Sequence, residues 1–234
     1  MKALLLSAGL GSRLRPVSDR IPKCLVPVQG KPLLAYWFDL LFAGGIEQAI
    51  VNTHHLASAV EAFCRASPWC DRVVLVPEAT LLGTAGTLVA NRQLYDGEAV
   101  LVAHSDNLSR FSVRDFIECH QKRARGAVLT MMTFDSDRPE ACGIVETDSE
   151  GLVRGFHEKV PNPPGRRANA AVYIIEPEVV EYAVSLRKRV IDFSTEIIPA
   201  FLGRMTTFHN ADYHRDIGTP ESLRLAEIEY CQVS

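Results

Sequence analysis

Several features that would assign this chain to a common class of proteins are absent from its sequence. No stretch approaches the roughly 20 consecutive apolar residues of a transmembrane helix, so no membrane association is expected. The six cysteines form no Cys-x-x-Cys pair, which favours reduced, mostly buried thiols and a cytoplasmic location, although disulfides between some of them stay open. A formal net charge of −3 provides no global field for binding nucleic acid, so any basic site must be local.

The remaining composition is that of a folded α/β protein. The chain has 234 residues, of which 47% are hydrophobic and 23% charged, enough for one large domain. Apolar runs predict strands at residues 3–6, 48–51, 72–76 and 99–103, and helical spacing predicts helices at 32–43, 56–65 and 86–94. Strands that alternate with helices in this way indicate a parallel sheet with right-handed crossovers.

The pattern changes in the second half of the chain. Helices are predicted at 113–123, 192–202 and 220–230, an extended run at 127–134, and short strands at 143–146, 153–157 and 169–175. Residues 148–151 have the composition of a hairpin turn. We therefore predict an α/β fold, a Rossmann-like, mostly parallel sheet flanked by helices, with an appended antiparallel portion.

The first strand leads into a segment suited to binding a polyphosphate. Gly9 and Gly11 free the backbone for positive φ and let its N–H groups approach an anion, while Arg13 and Lys23 bring positive charge to the same place. In a parallel sheet, ligands bind beyond the carboxyl ends of the strands. Glu78 and Asp106 follow later predicted strands, so we expect them at the same edge as the glycines.

Neither of two familiar phosphate-binding loops fits this segment. A Walker A loop needs Lys-Ser/Thr after its last glycine, and a dinucleotide fingerprint needs a third small residue where this chain has Leu14. Instead, Gly-x-Gly-Ser-Arg-Leu-x-Pro at 9–16, followed by Pro-Lys-x-Leu-x-Pro-Val at 22–28, resembles the signature of the sugar nucleotidyltransferases. These enzymes join a nucleoside triphosphate to a sugar 1-phosphate. The resemblance implies a GT-A-like nucleotidyltransferase fold and covers nearly the whole chain.

The resemblance extends to the base of the nucleotide. Leu82-Gly-Thr-Ala-Gly86 matches a family segment that contacts the base, and Glu78 lies where the family often has a base-contacting Glu or Gln. A carboxylate only accepts hydrogen bonds, so it suits guanine N1 and N2 or uracil N3. Guanine offers two donors, which favours GTP.

Further matches imply a metal and a sugar site. Asp106 ends a predicted strand, and Asp216 stands in Asp-Ile-Gly-Thr; the resemblance implies that both hold Mg²⁺. Two carboxylates suit Mg²⁺, which completes its octahedron with phosphate oxygens and water. Phe-His-Glu158-Lys159 resembles the family's sugar and sugar-phosphate motif, and Ala171 replaces a glycine that the family usually has after Asn169.

The resemblance thus implies specific roles for residues of one domain, 1–234, with a nucleotide-binding part of about 1–110 and a sugar-binding part of about 111–234. The implied catalytic residues are Arg13, Lys23 and Asp106, and the implied metal ligands are Asp106 and Asp216. The implied nucleotide-binding residues are Leu6, Ala8, Gly9, Gly11, Ser12, Arg13, Glu78, Gly83 and Thr84. The implied residues for the sugar phosphate are Gly143, Glu158, Lys159 and Asn169.

We expect a transferase that uses GTP and a mannose or heptose 1-phosphate and requires Mg²⁺. A homodimer is a possible assembly. A uridylyl- or thymidylyltransferase of the same family stays open, because Glu78 also suits uracil. A nucleotide-sugar-dependent glycosyltransferase is an alternative from another class, but such enzymes normally carry Asp-x-Asp, and Asp106 is followed by Asn107-Leu108. A non-catalytic nucleotide-sugar sensor is the third alternative.

Overall fold

The computed structural model of the protein describes residues 1–95 and 97–232. Its helices are α1 Leu33–Ala43, α2 Ala57–Ala66, α3 Thr84–Ala90, α4 Val113–Gln121, α5 Pro177–Ser185 and α6 Pro220–Tyr230. Its strands are β1 Lys2–Leu6, β2 Pro27–Val28, β3 Lys31–Pro32, β4 Gln48–Thr53, β5 Val73–Pro77, β6 Val100–His104, β7 Asn107–Arg110, β8 Leu129–Asp135, β9 Gly143–Thr147, β10 Val153–Glu158, β11 Arg167–Ile175, β12 Met205–His209 and β13 Tyr213–Asp216. None of the helices described has the length and apolar character that crossing a membrane requires.

The predicted fold class is confirmed: the protein is a mixed α/β structure with a mainly parallel sheet flanked by helices. Its chain forms two compact units that interleave along the sequence. Unit 1 comprises Met1–Leu81, Ala103–Val113 and Asp212–Ser234. Unit 2 comprises Leu82–Val102 and Arg114–Ala211. The assignment of nucleotide binding to about 1–110 and of sugar binding to about 111–234 stays a prediction.

In unit 1, strands β1, β4 and β5 form a parallel arrangement with β4 in the middle. Ala3–Leu5 and Ala49–Val51 have no exposed surface, which is why each of the two strands contains a continuous run of apolar residues. The loops that follow β1 and β5, together with the last residues of β4, therefore lie at one edge of this arrangement. That edge is where parallel α/β sheets bind ligands.

Two small antiparallel pairs complete unit 1. Strand β13 pairs with β7, with Asp216 opposite Asn107, and strand β2 pairs with β3 around the turn at Gln29-Gly30. A small apolar cluster joins α6 to these pairs; its buried members are Val28, Leu33, Leu108, Ile217 and Ala226. This packing fixes the end of β13, and with it the position of Asp216.

Unit 2 contains the predicted antiparallel portion. Strand β11 pairs antiparallel with β8 and β9, and β9 forms an antiparallel hairpin with β10. The Asp148 side chain accepts the N–H groups of Glu150 at 2.9 Å and Leu152 at 3.0 Å, which closes the predicted hairpin turn. Strand β12 adds to β8 in parallel, a pairing that the sequence analysis did not predict.

Most predicted helices are present within one or two residues of their predicted bounds, but the one at 192–202 is wrong. Phe193–Ile197 forms a π-helical turn and Ile198–Phe201 a 3₁₀ turn. Pro199 lacks the N–H that a regular α-helix needs at this position, so the helical hydrogen bonding breaks there. Helix α5 was not predicted; it begins with Pro177 in its first turn and buries Val179, Val180 and Ala183.

A buried histidine links α4 of unit 2 to its sheet. His120 is 2% exposed; its Nδ1 contacts the Thr130 hydroxyl at 2.8 Å, and its Nε2 contacts Glu176 Oε1 at 3.2 Å. Burial, and after it the nearby Arg123 charge, lower the pKa of His120 from 6.5 to about 4, although Glu176 acts to raise it. The imidazole is therefore neutral in the folded protein at neutral pH.

This low pKa predicts a loss of stability in mild acid. Between about pH 6.5 and 4, the unfolded chain takes up a proton at His120 while the folded protein does not, so the free energy of unfolding falls. His120→Gln removes the titrating group, and urea unfolding at about pH 7 and pH 4.5 should give a smaller fall than in the wild type. Equal falls in the two proteins would contradict this assignment.

Candidate active site

The loop after β1 is built around one glycine. Gly11 has φ 63°, and a Cβ there would lie 2.9 Å from the Ser18 Cβ, so no other residue fits without movement. The Gly11 carbonyl accepts the Ser18 hydroxyl at 2.7 Å and the Leu14 N–H at 2.8 Å, which closes the loop on itself. Positive φ was also predicted for Gly9 and is wrong. Gly9 is exposed, and no atom within 4 Å would meet a Cβ there.

The centre of the site is an ammonium group between two carboxylates. Lys23 Nζ donates to Asp106 Oδ2 and, at 3.1 Å, to Asp216 Oδ1. The Lys23 side chain is only 10% exposed, whereas that of Asp216 is 52% exposed. Arg13 reaches the other oxygen of Asp216 at 3.8 Å. Four residues predicted from widely separated motifs therefore meet in unit 1.

These contacts determine the charges of the site. Burial alone would lower the pKa of Lys23, but the carboxylates of Asp106 and Asp216 outweigh it and raise that pKa above its usual value. Burial likewise opposes ionisation of Asp106, but Lys23 and His104 lower its pKa below the usual range. Lysine and aspartate are therefore both charged at neutral pH.

The pairing of β7 with β13 positions Asp216. Asp216 lies opposite Asn107, and the Ile217 N–H donates to the Asp106 carbonyl at 3.1 Å. The Trp37 indole N–H holds the Asn107 carbonyl at 2.9 Å, which ties β7 to α1. The Thr219 hydroxyl oxygen caps α6 by accepting the Ser222 N–H at 3.1 Å.

Gly218 is a functional candidate that the sequence analysis did not select. A Cβ there would lie 2.6 Å from Asp216 Oδ2 and 3.2 Å from an Arg13 guanidinium nitrogen. Glycine at this position lets the two charged side chains approach each other. The signal was present in the sequence, because Gly218 belongs to the same Asp-Ile-Gly-Thr motif as Asp216.

The other predicted nucleotide-binding residues of unit 1 lie along the same edge. Leu6 ends β1, and its carbonyl accepts the Ser105 N–H at 3.2 Å, which joins the loop to the residue before Asp106. Ala8 is buried, and the exposed Ser12 begins the turn Ser12–Leu14, whose last residue is buried. Glu78 is 9% exposed and accepts the Asn52 side-chain amide at 2.9 Å. Asn52 was not among the residues predicted for the site.

In unit 2, the segment 82–86 packs against its own chain. A Cβ at Gly83 would lie 2.5 Å from the Ile191 carbonyl oxygen, and one at Gly86 would lie 2.9 Å from the Arg189 carbonyl oxygen. The Thr84 hydroxyl accepts the Phe193 N–H at 2.7 Å and donates to Asp192 at 3.4 Å. The two glycines are therefore required by chain packing, whatever they contribute to ligand binding.

The predicted sugar-phosphate residues of unit 2 include one close group. A Cβ at Gly143 would lie 2.5 Å from the Phe156 ring and 2.7 Å from Glu158 Oε2, so glycine makes room for both side chains. Glu158 pairs with the neighbouring Lys159 at 2.9 Å, and the Lys159 side chain is 63% exposed. The carboxylate and the ammonium are thus together and accessible to solvent.

Asn169 stabilises an irregularity in β11. The register with β8 shifts between Asn169 and Tyr173, and within this bulge Ala171 has φ 53°. Asn169 Oδ1 accepts the Ala171 N–H at 3.0 Å, and its Nδ2 donates to the Tyr173 hydroxyl at 2.7 Å. The left-handed conformation explains why a glycine suits position 171, and Ala171 adopts it at a cost.

No histidine among the described residues belongs to a cluster of three or more metal-binding side chains. The described residues contain no group of three or more His, Cys, Asp or Glu side chains that could hold a metal ion. His214 is instead engaged with the Ser109 hydroxyl at 2.6 Å, and burial lowers its pKa to about 3. Asp106 and Asp216 are instead a pair of carboxylates that share the Lys23 ammonium group.

Comparison with known proteins identifies the family. The nucleotidyl transferase family model matches residues 2–233. The chain belongs to the nucleotidyl transferase family. The resemblance of its motifs to sugar nucleotidyltransferases is thereby confirmed.

Curated relatives include enzymes for different nucleotides. Mannose-1-phosphate guanylyltransferase of Mycobacterium tuberculosis is 31% identical over 94% of this chain and 62% of the relative. UTP–glucose-1-phosphate uridylyltransferase of Synechocystis is 29% identical over 93% of this chain and 60% of the relative. The chain thus spans about three fifths of the length of these relatives.

Solved structures share the fold. A structure assigned as a glucose-1-phosphate thymidylyltransferase from Bacillus anthracis superposes with a TM-score of 0.85 at 22% identity, covering 97% of this chain and 94% of the other. HddC from Yersinia pseudotuberculosis, complexed with GMP-PN, superposes with a TM-score of 0.81 at 24% identity, covering 98% and 99%. At these identities the likeness establishes the fold.

The bulge in β11 gives a stability prediction. Ala171→Gly relieves about 1 kcal/mol of left-handed strain and offsets the extra entropy of the unfolded chain, so the free energy of unfolding should rise or stay within about 0.5 kcal/mol. The matched control is Ala170→Gly, which loses a buried methyl group and should cost about 1–2 kcal/mol. Equal losses in urea unfolding of the two variants would contradict the assigned strain.

Proposed function

We propose that the chain is a sugar-1-phosphate nucleotidyltransferase that transfers a nucleoside monophosphate from GTP to a mannose or heptose 1-phosphate. The observation that carries the proposal is the meeting of Lys23 with Asp106 and Asp216, with Arg13 beside them. Among relatives, the mannose-1-phosphate guanylyltransferases support GTP and mannose. The Synechocystis uridylyltransferase keeps UTP as a second candidate.

The proposed reaction needs no general base. A phosphate oxygen of the sugar 1-phosphate attacks the α-phosphorus in line, the bond to the β-phosphate oxygen breaks, and pyrophosphate leaves with that bond's electrons. The second pKa of a phosphate monoester is about 6, so the attacking group is already largely ionised at neutral pH. What the protein must supply is positive charge and orientation.

Lys23 and Arg13 are proposed to supply part of that charge to the triphosphate. The raised pKa of Lys23 keeps its ammonium protonated, and its low exposure strengthens its interaction with phosphate oxygens. Leu6, Ala8, Gly9, Gly11 and Ser12 are proposed to hold the phosphates and nucleoside through the loop backbone. Gly83 and Thr84 are proposed to contact the nucleoside.

Mg²⁺ fits the carboxylate pair. Asp106 and Asp216 both contact one ammonium nitrogen, so their oxygens are close enough to share one cation. Two carboxylates are also the number that Mg²⁺ commonly takes from a protein. When bound, the ion would neutralise charge on the phosphate oxygens.

The sugar phosphate is proposed to bind to unit 2. The exposed Lys159 ammonium suits its phosphate, and Glu158 accepts hydrogen bonds from sugar hydroxyls. Gly143 leaves room for Glu158. Asn169 is proposed to contact the sugar through side-chain hydrogen-bonding positions that its contacts with Ala171 and Tyr173 do not use. A cytoplasmic location, a homodimer and the absence of nucleic-acid partners also remain proposals.

Removing one carboxylate charge tests the site. Asp106→Asn should lower turnover by roughly 100-fold or more, because Mg²⁺ would lose one carboxylate ligand. The protein should stay folded, because Asp216 still pairs with Lys23. Circular dichroism would verify folding, and released pyrophosphate would measure turnover. Asp39→Asn is the matched control, since Asp39 is an exposed carboxylate paired with Lys31 at 2.5 Å. Near-normal turnover of Asp106→Asn would make the metal assignment wrong.

A substrate panel tests the reaction. The triphosphates of guanosine, uridine, thymidine, adenosine and cytidine would each be combined with mannose, glucose, heptose and N-acetylhexosamine 1-phosphates. We expect the fastest pyrophosphate release from GTP with the mannose or heptose compound, since Glu78 offers an acceptor to guanine. Equal rates with all triphosphates would remove the argument for guanine. Nucleotide-sugar binding without pyrophosphate release would favour a glycosyltransferase or a sensor.

A further inference from the structure

A buried hydrogen-bond relay joins the loop after β1 to Glu78. The Ser7 N–H donates to Asn52 Oδ1 at 2.5 Å, and Asn52 Nδ2 donates to Glu78 Oε1 at 2.9 Å. Ser7, Asn52 and Glu78 are 7%, 3% and 9% exposed. They belong to neighbouring parallel strands, because Ser7 follows β1, Asn52 lies in β4, and Glu78 follows β5.

The two groups that contact the Asn52 amide, the Ser7 N–H and the Glu78 carboxylate, determine its orientation. A backbone N–H only donates and a carboxylate only accepts, so the amide oxygen must face Ser7 and the amide nitrogen must face Glu78. No other residue type of this size offers an acceptor and a donor in that arrangement. Aspartate at position 52 would place a carboxylate against the Glu78 carboxylate.

The main chain of Glu78 is held as firmly as its side chain. Its N–H donates to the Thr53 carbonyl at 2.8 Å, and its carbonyl lies 2.8 Å from His54 Nδ1, which must carry the proton because a carbonyl only accepts. Asn52 occupies one acceptor position of a carboxylate that has about four. The Glu78 carboxylate is thus held through one oxygen by Asn52, and its main chain is held by Thr53 and His54.

We propose that Asn52 is a positioning residue for base specificity: it orients Glu78 to accept the N1–H and 2-amino groups of guanine. This inference rests on the proposed function, because Glu78 is assigned there to the base. The relay also couples the residue that reads the base to the first residue of the loop assigned to the phosphates. Asn52 itself acts only through Glu78.

Inosine triphosphate is the probe that isolates this role, since its base keeps N1–H and lacks the 2-amino group. The dissociation constants of GTP and inosine triphosphate would be measured by calorimetry, without turnover. The wild type should bind GTP about 10-fold or more tightly than inosine triphosphate, because a hydrogen bond to a carboxylate is lost. In Asn52→Asp this ratio should fall towards one.

Two further variants separate specificity from folding. Thr53→Val is the control: Thr53 is the next residue of β4, 1% exposed, and its hydroxyl has no hydrogen-bond partner among the described residues, so the GTP preference should be unchanged. In the double variant Asn52→Asp with Glu78→Gln, the carboxylate at position 52 can accept hydrogen bonds from both the Ser7 N–H and the side-chain amide at position 78. That pair should restore the thermal stability lost in Asn52→Asp without restoring the GTP preference.

The outcomes distinguish this inference from the proposed function. A wild type that prefers GTP in binding, loses that preference in Asn52→Asp and releases no pyrophosphate with any sugar 1-phosphate would overturn the proposed function and leave the relay supported. A wild type that binds both nucleotides equally, or neither, would overturn the inference. An unchanged preference in Asn52→Asp would also overturn it, and so would a preference lost equally in Thr53→Val.

Discussion

The site depends on one buried positive charge that two carboxylates share. Burial of Lys23 opposes its protonation, and the carboxylates of Asp106 and Asp216 together outweigh that effect and raise its pKa. These partners lie 83 and 193 residues away along the chain, so the charge is stable only when distant segments are assembled. The interaction therefore ties the electrostatics of the site to the folding of unit 1.

The surrounding structure serves to hold those charges in place. The apolar strand β1 anchors the start of the loop, Trp37 anchors β7, and β13 carries Asp216 to a position opposite Asn107. Each contact is a hydrogen bond or packed surface of ordinary strength. Together they hold the charged side chains of Lys23, Asp106 and Asp216 in one region of unit 1.

The sequence was sufficient for the α-helices, the parallel strands and the charged residues of unit 1, but not for its short antiparallel pairs β2–β3 and β7–β13. Local spacing predicts strands and helices, and Lys23, Asp106 and Asp216 stand in motifs with recognisable neighbours. Asn52 could not be found in this way, because its role depends on which strands are adjacent in the sheet. The helix α5 could have been found, since Pro177-Glu178 is a typical helix start followed by apolar residues at helical spacing.

Glycine motifs were the least secure guide to ligand contacts, and the structure gives the reason. At Gly83 and Gly86 the space beside the α-carbon is occupied by the chain itself. At position 171 the positive φ alone is enough to favour glycine. A small residue can thus be required by packing, by conformation or by a ligand, and the sequence does not separate these causes. Charged side chains that converge in space have fewer explanations, because burying them without partners is costly. The meeting of Lys23, Asp106 and Asp216 is therefore stronger support for the proposed chemistry than the glycines of the same motifs.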